Sequence, residues 1–158
     1  MDKYRSFDRL KKSEQLEKDY AIDVRNGSAK YVILAPHGGG IEPGTTEIAD
    51  HIAGAVFSYY SFSGIKKKGN KGLHIASERY DEPEARRLIA SSDVAITIHG
   101  AEGDDQNIYI GGLNDKLIYT ISVALQAAGF PVSESVPLNL AGRAATNICN
   151  ICKTNQGV

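Results

Sequence analysis

Residues 31–40, YVILAPHGGG, decide the fold and mark a candidate site. Their first half is a continuous apolar run of strand length, which is typical of a strand that is buried on both faces. A second run of this kind, VAITI, spans residues 94–98. Helical patterns lie near these runs at residues 46–57, 83–92 and 114–128. The alternation of strands and helices predicts an α/β fold, a three-layer sandwich with a mixed central sheet.

Less regular patterns predict the remaining elements. The first strand is expected to end at Pro36, and Thr45 or Thr46 can cap the helix that follows. We expect that helix to bury a stripe of apolar residues, namely Ile48, Ile52, Ala53 and Val56. A surface helix is predicted at residues 6–17, and further strands are predicted at 21–25, 58–62, 73–77 and 107–110.

Length, composition and charge limit the classes of function. A chain of 158 residues with 42% hydrophobic and 23% charged residues suits one globular domain with its own core. Its formal net charge of -1 gives no general attraction to nucleic acid or to an anionic membrane. We therefore expect neither as a partner, and any anionic partner has to be recruited locally.

The N-terminal segment and the cysteines bear on the cellular compartment. Residues 1–20 are charged throughout and lack the apolar core of a secretory signal, and no apolar run is long enough to span a membrane. A cytoplasmic location is expected. Cys149 and Cys152 are the two cysteines, which are too few for a disulfide scaffold. They are expected to be free thiols, because a redox motif or a zinc site of this spacing needs a context that is absent.

Both buried-type strands run into a histidine, His37 after the first and His99 after the second. The carboxyl ends of central strands are where α/β proteins gather functional groups, so the two side chains can converge. Glu42 follows His37 through a run of glycines that lets the backbone curl back. Two histidine nitrogens and one carboxylate form a catalytic zinc set with a fourth position for water. Taken singly, each histidine is better explained by a hydrogen bond at a strand end.

Two other interpretations of the glycine-rich segment are weaker. It lacks the lysine and hydroxyl ending of a phosphate-binding P-loop and the glycine spacing of a dinucleotide site. It resembles the oxyanion segment of a serine hydrolase, but the chain contains no G-x-S-x-G pentapeptide. No nucleophile is evident, which favours a metal site over a serine hydrolase.

The chain resembles the phage-type poly-γ-glutamate hydrolases, zinc enzymes whose core looks like that of carboxypeptidases. The likeness is carried, in order, by APHGGGIEPGTTEIA (35–49), GNKGLHIAS (69–77), DEP (81–83), AITIHG (95–100), IGGLN (110–114) and NICN (147–150). Order and spacing agree over most of the chain, so the match is more specific than any one motif. The resemblance implies that zinc is held by His37, Glu42 and His99, and that the reaction is hydrolysis of the γ-glutamyl amide bonds of poly-γ-glutamate.

The resemblance also implies a general base that this chain does not contain. In the family, the stretch that resembles NQGV (155–158) continues into a strand bearing a glutamate that looks like the base. We therefore expect residues 1–158 to be a single hydrolase domain that lacks a C-terminal strand and helix, with weak turnover. Glu102 and Asp104 are the candidate substitutes near His99. Phage-encoded relatives could be released on host lysis.

Several polar residues are predicted to bind substrate. Lys66, Lys67 and Lys68 crowd one loop of a nearly neutral chain, where they would attract a polyanion, although a lysine run is often only a solvated loop. His74 is either a structural histidine or a contact to a substrate carboxylate. Weaker candidates for holding a carboxylate are Asn70, Arg143, Asn147 and Asn150.

Two other functions stay open on the sequence. A zinc amidohydrolase or carboxypeptidase-like enzyme acting on another small substrate would keep the three ligands and differ in the pocket. A non-catalytic, phage replication-associated binding module could use the lysine loop, but it would need a broader basic face or stacking aromatic residues.

Overall fold

A computed structural model describes residues 2–104 and 106–158. The strands of the sheet are β1 (Tyr20–Arg25), β2 (Tyr31–Gly39), β3 (Ser58–Gly64) and β4 (Val94–Thr97). The α-helices are α1 (Phe7–Leu10), α2 (Thr45–Ala53), α3 (Pro83–Ser91) and α4 (Asp115–Ala127). Short 3₁₀ helices span Asn70–Leu73, Ser77–Arg79, Leu138–Leu140 and Ile148–Ile151. No helix in this described part is long and apolar enough to cross a membrane.

The four strands form one mixed sheet in the order β1-β3-β2-β4. Strand β1 is antiparallel to β3, whereas β2 is parallel to both β3 and β4. Since β2 lies between two parallel neighbours, its continuous apolar run is buried on both faces, as expected of a central parallel strand. The predicted α/β class with a mixed central sheet is confirmed.

Alternate residues of β2 face two separate hydrophobic clusters. Val32 and Leu34 pack with residues of α1 and α3 on one face of the sheet. Ile33 and Ala35 pack with Ala49 and Ala53 of α2 on the other face. Helices therefore cover both faces of the sheet, which gives the predicted three layers. This packing holds β2 in place and so fixes the position of its last residues.

Strand β2 continues past Pro36, contrary to the prediction. Its pairing with β3 runs to Gly39, with a shift of register between Ala35 and Gly38. A bulge of this kind tolerates a proline, because one residue of the bulged strand is left out of the hydrogen-bond ladder. The consequence is that His37 lies inside a strand, on rigid backbone, and not on a free loop.

Helix α2 is shorter than predicted and turns a different face to the sheet. It ends at Ala53, and its buried residues are Thr45, Ala49 and Ala53, while Ile48 and Ile52 are about half exposed. Thr46 explains the rotation: its hydroxyl accepts the Gly39 N–H at 2.9 Å and contacts two serine hydroxyls of β3. This polar anchor directs small residues onto β2 and turns the larger isoleucines outward.

Three predicted elements are absent from the described residues in the form expected. Residues 73–77 hold the ends of two 3₁₀ helices and no strand. The N-terminal helix is one turn long, because the chain bends away after Leu10. Around residues 107–110 only an isolated bridge between Ile108 and Val132 forms, since no sheet neighbour is present there.

Candidate metal centre

Strands β2 and β4 bring His37 and His99 together. They are parallel neighbours, paired from Tyr31 with Val94 to Leu34 with Thr97, so their carboxyl ends lie side by side. His37 sits on the bulged end of β2, and His99 follows the last residue of β4 by two. The Nδ1 atoms of the two rings are 3.2 Å apart.

Glu42 completes the group by a tight reversal of the chain. Its backbone N–H donates to the His37 carbonyl at 2.9 Å, and Gly39 takes a left-handed conformation with φ +59° in between. Glycine is needed at this point because other residues rarely adopt positive φ. The reversal aims the Glu42 carboxylate back at the histidines.

The donor atoms of the three side chains have the spacing of a tetrahedral metal site. His37 Nδ1 lies 3.0 Å from Glu42 Oε1, and His99 Nδ1 lies 3.5 Å from Glu42 Oε2. With metal–ligand bonds of about 2.0–2.1 Å, the edges of a tetrahedron are about 3.3 Å. Among the described residues, this set is the one group of potential ligand atoms that meets so closely. The structure thus brings together all three residues that the sequence suggested as ligands.

The second nitrogen of His37 supports the same role. Its Nε2 lies 2.8 Å from the Ile75 carbonyl, which can only accept, so Nε2 carries the hydrogen and Nδ1 keeps its lone pair. Metal-binding histidines are typically oriented in this way by a backbone or carboxylate acceptor. Burial lowers the pKa of His37, which keeps the ring neutral and able to bind a metal.

Glu42 is held in its ionised form. Burial alone would raise its pKa, but the imidazole rings of His37 and His99 and a hydrogen bond from the Gly100 N–H hold the pKa well below its ordinary value. The Gly100 N–H donates to Oε2 at 2.8 Å. A carboxylate that stays charged and fixed on both oxygens is suited to bind a cation.

His74 lies beside the group, held by a residue from the other end of the chain. Its ring contacts that of His37 with centroids 4.0 Å apart and planes tilted by 34°, and its Nε2 is 3.9 Å from Glu42 Oε1. Its Nδ1 is 2.9 Å from Asp2 Oδ1. The other oxygen of Asp2 accepts from the Ala76 N–H and from Arg79. Asp2 therefore fixes the ring so that Nε2 faces the centre.

The sequence offered no signal for Asp2 or for the Ile75 carbonyl. Asp2 is one of many charged residues in its segment, and 72 positions separate it from His74. The Ile75 carbonyl is a backbone atom, which no motif of side chains can reveal.

Asn70 and Lys66, both predicted to bind substrate, are engaged in internal contacts. Both amide atoms of Asn70 bond to the backbone of Lys66, at 2.8 and 2.7 Å. The Lys66 ammonium donates to Glu14 at 3.0 Å and is about four-fifths buried. Together they hold the lysine loop in shape, whereas Lys67 and Lys68 are exposed.

Arg143, Asn147 and Glu102 are not drawn into the group of ligand atoms. Arg143 is exposed and lies 3.3 Å from Asp115. Asn147 accepts the Cys149 N–H and so caps the 3₁₀ helix Ile148–Ile151. The Glu102 side chain is 95% exposed and lies 3.7 Å from Lys71.

Proteins of Bacillus subtilis (strain 168) are similar over nearly the whole chain. The UPF0714 protein YndL is 37% identical over 161 residues, which cover 99% of this chain and 62% of YndL. The SPbeta prophage-derived UPF0714 protein YoqZ is 36% identical, with 99% of this chain and 57% of that protein covered. The chain spans about three-fifths of the length of these curated relatives.

Solved structures and a family model agree with this similarity. The structure of a bacteriophage poly-gamma-glutamate hydrolase matches with a TM-score of 0.95 and 30% identity, over 99% of this chain and 76% of that one. A zinc-free structure of YndL matches with a TM-score of 0.93 and 35% identity, over 99% and 77%. The family model described as poly-gamma-glutamate hydrolase matches residues 4–158. The chain therefore belongs to the poly-gamma-glutamate hydrolase family.

Proposed function

We propose that this chain is a zinc-binding hydrolase domain that cleaves the γ-glutamyl amide bonds of poly-γ-glutamate. The observation that carries the proposal is the convergence of His37, Glu42 and His99 in a member of this family. The substrate follows from the description of the matching phage enzyme and is carried over as part of the proposal.

The residues present fit zinc. Two imidazole nitrogens and one carboxylate are a donor set found in catalytic zinc sites, and their spacing is tetrahedral. A harder ion such as Mg²⁺ or Ca²⁺ favours sites made of oxygen ligands. When bound, zinc polarises a carbonyl and lowers the pKa of a water molecule to about 7.

The chain's own groups have separable tasks. His37, Glu42 and His99 hold the metal, and the Ile75 carbonyl and the Gly100 N–H keep two of them aligned. His74 presents Nε2 at the rim of the centre, where it can contact a substrate carboxylate or the developing oxyanion. Cleavage also needs a proton acceptor for the attacking water.

We propose that this acceptor is a glutamate in a strand that follows Val158, as the resemblance implies. The direction of the chain there is consistent with it. The Val158 N–H donates to the Ala95 carbonyl at 3.0 Å, and its carbonyl accepts the Thr97 N–H at 2.8 Å, as in a parallel strand beside β4. A strand continued in this direction would run towards His99. The general base itself stays a proposal.

The test combines metal analysis with substrate cleavage. The purified chain is loaded with one equivalent of Zn²⁺ and incubated with γ-linked and, separately, α-linked polyglutamate, while released amines and chain length are followed. We expect cleavage of the γ-linked polymer alone, weak for this chain and faster for a version extended past Val158. Cleavage of the α-linked polymer would overturn the proposed substrate. Equal rates for this chain and the extended version would overturn the assigned base.

A further inference from the structure

A cleft with a basic rim lies on the N-terminal segment, outside the metal centre. Its volume is about 520 Å³, and it is lined by Lys3, Arg5, Arg9 and Lys12 together with Asp2. All four basic side chains are exposed at the surface. We call these four residues the basic cleft.

The basic cleft rests on a fixed support. Tyr4, Phe7 and Leu10 point inward from the same segment and belong to the main hydrophobic cluster. Because these three residues are anchored in the core, the intervening basic residues point outward from a backbone that needs no ordering on binding.

Two of the four basic residues of the cleft are paired with a carboxylate, Lys3 with Glu14 and Lys12 with Asp8. In residues 2–104 and 106–158, no carboxylate lies within ion-pair distance of Arg5 or Arg9. Lys12 has a partly exposed partner in Asp8 at 3.3 Å. Two arginines with unpaired forks are suited to bind carboxylates, since guanidinium can bond both oxygens of the group.

The basic cleft is linked to the lysine loop through Glu14. Glu14 accepts from Lys3 at 2.9 Å through one oxygen and from Lys66 at 3.0 Å through the other. One buried carboxylate thus joins two segments that are far apart in sequence and leaves Lys67 and Lys68 exposed beside them. Two basic features that look unrelated in the sequence are therefore joined through Glu14.

The cleft is also linked to the metal centre through Asp2. Asp2 lines the cleft and bonds to His74, whose Nε2 is 3.9 Å from Glu42. Two side chains, those of Asp2 and His74, thus connect the cleft to the metal centre.

We propose that the basic cleft is a second binding site for the substrate, which holds carboxylates of a γ-glutamyl chain outside the bond being cleaved. The inference rests on the proposed function. A γ-linked glutamyl polymer carries one free carboxylate per residue, so it offers a regular row of partners to Arg5, Arg9 and the lysines. Nucleic acid fits less well, because Tyr4, the aromatic residue of the cleft, is buried and presents no ring for base stacking.

The experiment measures binding of fluorescently labelled γ-polyglutamate to the full chain in low and high salt. The test variant is Arg5→Gln/Arg9→Gln. The matched control is Lys30→Gln/Lys153→Gln, which removes the same charge at the Asp93 end of β4, away from His99. A third variant, Arg5→Lys/Arg9→Lys, keeps the charge but removes the planar fork.

We expect the test variant to bind the polymer roughly tenfold more weakly at low salt, with a smaller difference at high salt. The control should bind like the unchanged chain, the lysine variant should lie between, and zinc binding should be equal in all four. Equal binding by the test variant and the control would overturn the cleft proposal alone. If the unchanged chain binds zinc but no polymer, the proposed substrate fails and the cleft with it. If single-stranded DNA of matched charge binds the unchanged chain as tightly as the polymer does, and the test variant weakens DNA binding by the same factor, the assignment to glutamyl carboxylates is overturned.

Discussion

Two buried glutamates show how similar electrostatics can serve structure in one place and chemistry in another. Glu42 and Glu14 are both largely withdrawn from solvent, and polar neighbours hold the pKa of each far below its ordinary value despite burial. The partners of Glu14 are the Tyr4 hydroxyl and the ammonium groups of Lys3 and Lys66. The side-chain partners of Glu42 are histidines.

The difference lies in whether the partners of each glutamate can act as metal ligands. An ammonium group has protons to donate and no lone pair, so the Glu14 cluster is complete as a set of hydrogen bonds. A neutral imidazole has one lone pair, and the Ile75 carbonyl directs that of His37 at Glu42. A depressed carboxylate pKa alone therefore does not indicate a metal site. What indicates one is the capacity of the neighbouring side chains to act as metal ligands.

Among the changes that test this comparison, removal of a proposed metal ligand should have the largest effect. His99→Ala deletes a nitrogen that lies on the surface side of the group, where its side chain is 35% exposed. We expect zinc affinity to fall by at least 100-fold, with the unfolding midpoint of the metal-free protein nearly unchanged, because the core does not depend on this ring. Zinc titration and urea unfolding measure the two quantities. Loss of folding in the metal-free variant would assign His99 a structural role.

Glu14→Gln should affect stability and spare the metal. Three donors lose a charged acceptor, so we expect a loss of roughly 2 kcal/mol of unfolding free energy at pH 7. The pKa of Glu14 is about 2 in the fold against an ordinary 4.5. Its contribution is therefore fully present above pH 4.5 and lost as pH falls towards 2. Urea unfolding of both proteins across this range should show curves that converge at acid pH. A constant difference would contradict the assignment.

Asp2→Asn should have a smaller effect, confined to catalysis. The substitution weakens the hold on His74 without touching a proposed ligand, so we expect kcat on γ-polyglutamate to fall about tenfold and zinc affinity to stay within threefold. Arg79→Gln is the control, since it removes another partner of the same carboxylate. Similar losses of kcat in both variants would show that Asp2 acts through the fold and not through His74.

The smallest effects are expected in the lysine loop, where the structure divides three residues that the sequence grouped. Lys67→Gln/Lys68→Gln should weaken polymer binding by about twofold to fivefold at low salt and leave stability unchanged. Lys66→Gln should lower stability instead, because its ammonium is bonded to Glu14. Binding measured at two salt concentrations, with urea unfolding of each variant, separates the two roles. The reverse pattern would contradict the division.

Much of the fold could be predicted because its central strands have an unmistakable pattern. The apolar run in β2 is buried on both faces, that in β4 is buried in its first two residues, and helix α3 begins at Pro83 as expected. Residues 73–77 misled the prediction for a physical reason. Leu73 and Ile75 alternate with His74 and are buried like residues of a strand, but this segment supports His37 and Asp2 through its backbone and pairs with no strand.

The candidate site could be predicted where topology decides it and not where distant segments supply the contacts. His37 and His99 follow from the rule that parallel strands end together. The bond of Glu14 to Lys66 and that of Asp2 to His74 join residues 52 and 72 positions apart, and neither depends on a local pattern. Charged residues in a charged segment look alike until the fold selects their partners.

Calorimetric titration of the metal-free chain with Zn²⁺ at pH 7 tests the central claim most directly when Glu42→Ala and Glu14→Gln are titrated beside it. We expect one zinc ion per unchanged chain, the same stoichiometry and affinity for Glu14→Gln, and no measurable binding for Glu42→Ala. Zinc binding by Glu42→Ala with the affinity of the unchanged chain would contradict the assignment of this centre.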